Sequence, residues 1–116
     1  MALNLKKQLT FHPVEKLYYL AGIVDGEGCL YTFRKLNGRN KRYKTYRIIV
    51  TNTNLELIKW IANNFGGYIV TMKKEEPHYK QCYQWLLDGP RAIMLISELA
   101  PLLIVKREKA SKILNA

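Results

Sequence analysis

Residues 20–28 read Leu-Ala-Gly-Ile-Val-Asp-Gly-Glu-Gly, and no other stretch limits the possible folds as tightly. From Pro13, a residue tolerated in the first turn of a helix, Leu17, Leu20, Ala21 and Val24 recur at helical spacing as one apolar stripe. Tyr18, Gly22 and Gly26 fall on a different side. The spacing predicts a helix over residues 13–26 with two working faces, ended by Gly26 and Gly28. Glycine inside a helix costs roughly 1 kcal/mol relative to alanine, a cost that close approach of a second helix can offset. The helix then ends in Asp25 and Glu27, beside carbonyls that already carry partial negative charge, so acids are locally unfavourable there. A divalent cation would turn that liability into a site, because hard ions seek clustered oxygen ligands.

The remaining pattern alternates between hairpins and helices. Residues 29–35 and 42–51 are rich in aromatic and β-branched types and read as strands joined by a turn at 36–40. Thr53 with Glu56 has the spacing of a capping box. It opens a helix whose stripe, Leu57, Ile58, Ile61, Ala62 and Phe65, stops at Gly66-Gly67. A second strand pair is expected over 68–73 and 79–86, across Glu75-Glu76-Pro77. Gly89-Pro90 opens another helix with Ile93, Ile96 and Leu99 inward and Pro101 beyond its end. A last basic helix covers 106–114, within a basic C-terminal stretch 106–116. This order predicts an α+β domain with helices on one face of an antiparallel sheet.

With 116 residues and 48% hydrophobic content, the chain is expected to form one domain over 1–116, with 1–12 as an N-terminal extension. No apolar run approaches the roughly 20 residues that span a bilayer, and the start lacks a signal-peptide core. Cys29 and Cys82 have no metal-ligand spacing and read as free thiols. These features predict a cytoplasmic or organellar protein that engages neither membrane nor small-molecule substrate.

The formal charge of +10 favours a polyanionic partner, nucleic acid foremost. Its distribution says more. Between Glu27 and Glu56 there is no acid, yet Arg34, Lys35, Arg39, Lys41, Arg42, Lys44 and Arg47 all fall there. A basic two-stranded ribbon can enter the major groove. Strand alternation puts Tyr31, Phe33 and Lys35 on one face of the first strand and Tyr43, Thr45 and Arg47 on one face of the second. Tyr46, Ile48 and Val50 face the core. Tyr31 and Phe33 could equally pack inward. Arg34 has the wrong parity, which a bulge would correct. In the second hairpin Lys80, Cys82 and Gln84 alternate outward against Tyr83 and Trp85, with Lys73 and Lys74 near the turn as phosphate contacts. His12 and His78 lack any surrounding motif and read as surface histidines.

LAGIVDGEG resembles the signature of the LAGLIDADG homing endonucleases, and the order of helices and hairpins resembles that family's αββαββα core. The resemblance implies an intron-associated, sequence-specific DNA hydrolase. Such an enzyme makes a double-strand break in a long pseudo-palindromic duplex with Mg²⁺; Mn²⁺ can substitute, and Ca²⁺ supports binding without cleavage. A single motif implies a homodimer whose signature helices pair through Tyr18, Gly22 and Gly26. The resemblance also makes Glu27 the metal carboxylate, with Gly26 contributing its carbonyl and Asp25 a less direct ligand that organises the motif ends. Asn52 matches a position that orders water near the metals; it equally reads as a turn residue before the next helix. Lys106 follows Pro101-Leu102-Leu103-Ile104-Val105, similar to the segment preceding the family's active-site lysine. The competing expectation on the same scaffold is a non-cleaving relative, such as an intron maturase or a transcription regulator.

Overall fold

The computed structural model describes residues 11–116. Helix α1 (Val14–Glu27) runs directly into strand β1 (Gly28–Leu36), which turns into β2 (Arg42–Asn52). Helix α2 (Leu55–Phe65), strands β3 (Tyr68–Thr71) and β4 (Tyr83–Asp88), and helix α3 (Pro90–Leu99) follow. A 3₁₀ turn (Ala100–Leu102) then leads to α4 (Arg107–Leu114). The four strands form one antiparallel sheet in the order β1-β2-β4-β3. This is the α+β arrangement expected from the sequence. Among the described residues, no helix is long and apolar enough to cross a membrane.

One face of the sheet makes the core. Leu30, Ile48, Val50, Trp85 and Leu87 meet Leu17, Leu20, Ala21 and Val24 of α1, Ile58, Ile61 and Phe65 of α2, and Ala92, Leu95, Ile96 and Leu99 of α3. Ala110 and Ile113 of α4 close one end. The α1 stripe is the one expected. In α3 the buried set is shifted: Ala92 and Leu95 are buried with Ile96 and Leu99, while Ile93 is only partly so.

Other boundaries differ for physical reasons. Gly26 stays inside α1, and Gly28 ends it. A Cβ on Gly28 would stand 2.7 Å from the Val24 Cα, so only glycine lets the chain leave the helix and enter the sheet without a spacer. Thr53 is not the cap of α2. Asn54 is, its side chain accepting from Leu57 N at 3.0 Å. Asn54 is set up by Asn52, whose Oδ1 accepts from Asn54 N at 2.7 Å. The second hairpin is shorter than expected: residues 72–82 form a connecting loop in which Gln81 donates to the carbonyls of Met72 and Cys82. At its other end β4 runs two residues further, to Asp88.

Trp85 is fully buried, and its Nε1 donates to the Gly66 carbonyl at 2.7 Å, joining the α2–β3 turn to the sheet. Gly67 in that turn has φ +87°, and a Cβ there would run into the Leu86 carbonyl and lie 2.8 Å from Trp85 Nε1. Gly67→Ala is therefore expected to cost about 3 kcal/mol of stability, from left-handed backbone strain plus the clash. Urea denaturation checks this; a loss below about 1 kcal/mol would mean that the turn relaxes freely.

Candidate functional site

The C-terminal turn of α1 gathers four residues singled out from the sequence. Glu27 is exposed, and its Oε2 accepts from Asn52 Nδ2 at 2.5 Å. The amide of Asn52 thus serves two roles, with its oxygen shaping the turn into α2 and its nitrogen holding Glu27. The reading of Asn52 as a turn residue holds.

Asp25 behaves differently from Glu27. Its Oδ2 accepts from Ile104 N at 2.8 Å, and its Oδ1 from Val105 N at 3.1 Å and Lys106 N at 3.0 Å. Lys106 Nζ in turn donates to the Asp25 carbonyl at 2.9 Å. Three backbone donors and an ammonium offset the repulsion expected of an acid at a helix C-terminus. Asp25 is a structural clasp between α1 and the segment before α4, with most of its carboxylate's acceptor capacity taken by these N–H groups. The expectation that an acid is unfavourable at this helix end is corrected for Asp25. Glu27 keeps the anomaly alone.

The second face of α1 is open. Gly22 and Gly26 are exposed, with nothing within 4 Å of a Cβ built on either. Tyr18 is 60% exposed beside them, and Tyr19, Ile23 and Glu27 complete the same shallow surface. Among the described residues, the helix glycines therefore have no packing reason.

The sheet face turned away from the helices carries much of the expected nucleic-acid set. Pairing is regular from Gly28↔Val50 to Leu36↔Arg42, so parity can be read without interruption. Tyr31, Phe33 and Lys35 share this outer face with Tyr43, Thr45 and Arg47. No bulge rescues Arg34, which stays on the helix-side parity opposite Lys44, and Arg42 falls on that side as well. All three are exposed, because the hairpin projects past the helices there. Arg39 and Lys41 sit at the tip, where Asn37 Oδ1 accepts from the backbone N–H of both, at 2.8 and 3.0 Å. Lys73, Lys74 and Lys80 are exposed on the 72–82 loop rather than on strands.

Three outer-face residues depart from expectation. Thr45 is 7% exposed, hidden within the outer layer opposite Phe33, and is not available to a base edge. Gln84 donates to Thr51 Oγ1 across the strands at 3.2 Å. Arg47 is not a free cation. Its Nε donates to Asp88 Oδ1 at 2.6 Å and its Nη2 to Asp88 Oδ2 at 2.8 Å. Its Nη1 reaches the Tyr31 hydroxyl at 3.3 Å, and the guanidinium lies 4.7 Å over the Phe33 ring. Asp88 also accepts from the Tyr68 hydroxyl at 3.1 Å.

Asp88 escaped the sequence reading because its strand was ended at Leu86. Continued to Gly89, the alternation of Gln84 would have placed Asp88 outward. Hydrogen bonding from Arg47 holds the Asp88 carboxyl below the usual aspartate range, against a smaller opposing effect of burial, and holds the Arg47 guanidinium charged. A carboxyl depressed in the native state stabilises it fully above the unfolded-state value of about 3.9, and this is lost as pH falls through the native value. Asp88→Asn is therefore expected to lower stability at neutral pH, to change it little below the native carboxyl value, and so to flatten the acid side of the stability–pH curve, as read by denaturation midpoints across acid pH. An unaltered acid slope would show that the pair contributes nothing to acid sensitivity.

Among the described residues, no three His, Cys, Asp or Glu side chains converge to hold an ion, and Cys29 and Cys82 are free thiols. His12 is held by Glu98 of α3, through its backbone N–H at 3.1 Å and its ring Nδ1 at 2.8 Å.

No family model matches the chain, and no curated protein does. Solved structures do. The homing endonuclease I-CvuI in complex with the I-CreI target aligns at a TM-score of 0.67 and 20% identity, over 88% of this chain and 65% of that one. The archaeal intron-encoded homing endonuclease I-Vdi141I, complexed with DNA, aligns at 0.60 and 24% identity, over 89% and 71%. The LAGLIDADG homing endonuclease I-LtrWI, bound to target DNA, aligns at 0.57 and 19%, over 84% and 35%. This chain thus spans about two thirds of the I-CvuI chain. At these identities the likeness is one of fold: the helices and sheet are arranged as in LAGLIDADG homing endonucleases.

Proposed function

From a fold shared with DNA-bound homing endonucleases, we propose that residues 1–116 form a sequence-specific, divalent-metal-dependent DNA endonuclease domain. It acts as a homodimer and breaks both strands of a long pseudo-palindromic site. The observation that carries this reading is the Glu27–Asn52 pair: an exposed acid at an unfavourable helix end, held in place beside an unpartnered glycine face.

The donor set fits a hard cation. Glu27 offers a free carboxylate oxygen, and Gly26 offers a main-chain carbonyl at the end of α1, where carbonyls lack helical partners. One carboxylate per chain is too few for an all-protein site, and pairing two α1 helices through Tyr18, Gly22 and Gly26 would bring a second Glu27 to the two-fold axis. Mg²⁺ held there would neutralise phosphate charge and activate water; Mn²⁺ suits the same oxygens, and Ca²⁺ would support binding alone. Asn52 orients Glu27. Lys106, with Nζ on the Asp25 carbonyl, retains two N–H groups for charge developing on a phosphate. The outer face of the sheet and the hairpin tip meet the duplex, with Arg34, Arg42 and Lys44 reaching phosphates on the hairpin's reverse side.

Selection of cleaved and of bound duplexes from a randomised library, with Mg²⁺ and with Ca²⁺, tests the proposal. A palindromic consensus cut only with Mg²⁺ is expected. A consensus bound but never cut would leave a DNA-binding relative, and no consensus would refute both. Binding should also be salt-dependent. With Arg47 neutralised by Asp88, six hairpin cations per chain remain. If about half of those in a dimer meet phosphates, log K should fall against log salt with a slope of roughly −5.

A further inference from the structure

Asp88 lies where an acid is least expected, on the sheet face proposed to meet a polyanion, and its placement specifies what Arg47 does. A guanidinium has five N–H groups in one plane. Asp88 takes Nε–H and one N–H of Nη2, a side-on bidentate clasp, and Tyr31 accepts one from Nη1 over a long 3.3 Å. One N–H remains on each Nη nitrogen. The Phe33 ring under the guanidinium fixes its plane, and the Tyr68 hydroxyl on Asp88 fixes the clasp in turn. With its charge cancelled by Asp88, Arg47 has little general attraction for phosphate. What survives is a pair of directional donors on a side chain that is 25% exposed on the outer face, and the major-groove partner offering two adjacent acceptors to such a pair is guanine, through O6 and N7.

Resting on the DNA-binding reading above, we infer that Arg47 is a base-reading residue that specifies one guanine in each half-site, and that Asp88 is the positioning residue that aims it. Position along the strand narrows the inference. Arg47 precedes Asn52 by five residues on β2, about 17 Å at strand rise. For a strand that follows the groove, this is roughly five base-pair steps of about 3.4 Å. The guanine should therefore stand about five base pairs from the cleaved bond.

Duplex selection from a randomised library, in Ca²⁺, with the native protein and with Arg47→Lys, Arg47→Met and Asp88→Ala, tests this. Each variant is first checked for a cooperative thermal transition. The native protein should select a guanine column in each half-site. Arg47→Lys, which keeps the charge and loses the fork, should make that column alone degenerate, with affinity for the native consensus falling about 10- to 100-fold. Asp88→Ala should hold or raise overall affinity, because an anion leaves the face, while guanine-over-adenine preference at the same column falls at least several-fold. A purely structural Arg47–Asp88 pair would move stability and leave every column unchanged. That result, or a uniform loss across all columns, overturns the assignment while leaving the DNA-binding reading standing. Failure of the native protein to select any duplex removes that reading and this inference together. If Arg47→Met does not fold, Arg47→Lys decides.

Discussion

Glu27→Gln should abolish Mg²⁺-dependent strand cleavage, by on the order of 10³-fold or more, while DNA affinity in Ca²⁺ stays within about threefold. The change is nearly isosteric. A glutamine side-chain oxygen can still accept from Asn52 Nδ2, as Glu27 Oε2 does, so the local geometry survives and only the negative charge is lost. The same variant should be slightly more stable, by about 0.5 kcal/mol, because an acid is removed from a helix C-terminus that disfavours it. Activity falling while the melting temperature rises marks a residue kept for chemistry rather than for folding. Single-turnover cleavage, duplex binding and thermal unfolding measure the three quantities. Undiminished cleavage would refute Glu27 as the metal carboxylate, and a fall in stability would mean that its contact with Asn52 matters more than the helix-end repulsion.

If α1 pairs as proposed, Gly22→Leu should convert the proposed dimer to a folded monomer. Nothing lies within 4 Å of a Cβ at Gly22, so the side chain enters open space in the isolated chain, and replacing a helical glycine gains roughly 1 kcal/mol of helix propensity. In a two-fold pair the same side chain meets its copy across closely packed helices. Overpacking costs about 1–3 kcal/mol per insertion, and both copies carry it, so dimer affinity should fall a hundredfold or more. Sedimentation velocity should show a monomer with a raised melting temperature and no double-strand cleavage. An undisturbed dimer would move the interface off this face. Gly28→Ala provides the contrast, since its Cβ would collide with the Val24 backbone and destabilise the chain itself. In the proposed dimer, two glycines six residues apart would thus have opposite roles, one for assembly and one for folding.

Much of this was readable locally. The apolar stripe of α1, the basic hairpin and the outward set on its two strands follow from periods of 3.6 and 2, which the chain carries at short range. Misreadings came where a partner distant in sequence decides. Asp25 seems misplaced until the N–H groups of residues 104–106 are seen on its carboxylate. Arg47 counts as a free cation until its cross-strand neighbour Asp88, 41 residues away, takes its donors. Thr45 has the parity of a contact residue and the burial of a core one. The cap of α2 moved from Thr53 to Asn54 because Asn52 bends the chain one residue earlier.

By itself the sequence determined which helices and strands form, in what order, which helix face is lined by glycine and which hairpin carries the basic charge. These depend on side-chain pattern and net charge, which act locally or additively. Only the tertiary structure decided which of the singled-out charges are still free. Asp25 and Arg47 are satisfied within the chain, whereas Glu27 is left exposed, with one amide contact among the described residues. That division rests on directional hydrogen bonds between residues far apart in sequence, and such bonds exist only once strand register and helix docking bring donor and acceptor within 3 Å or so.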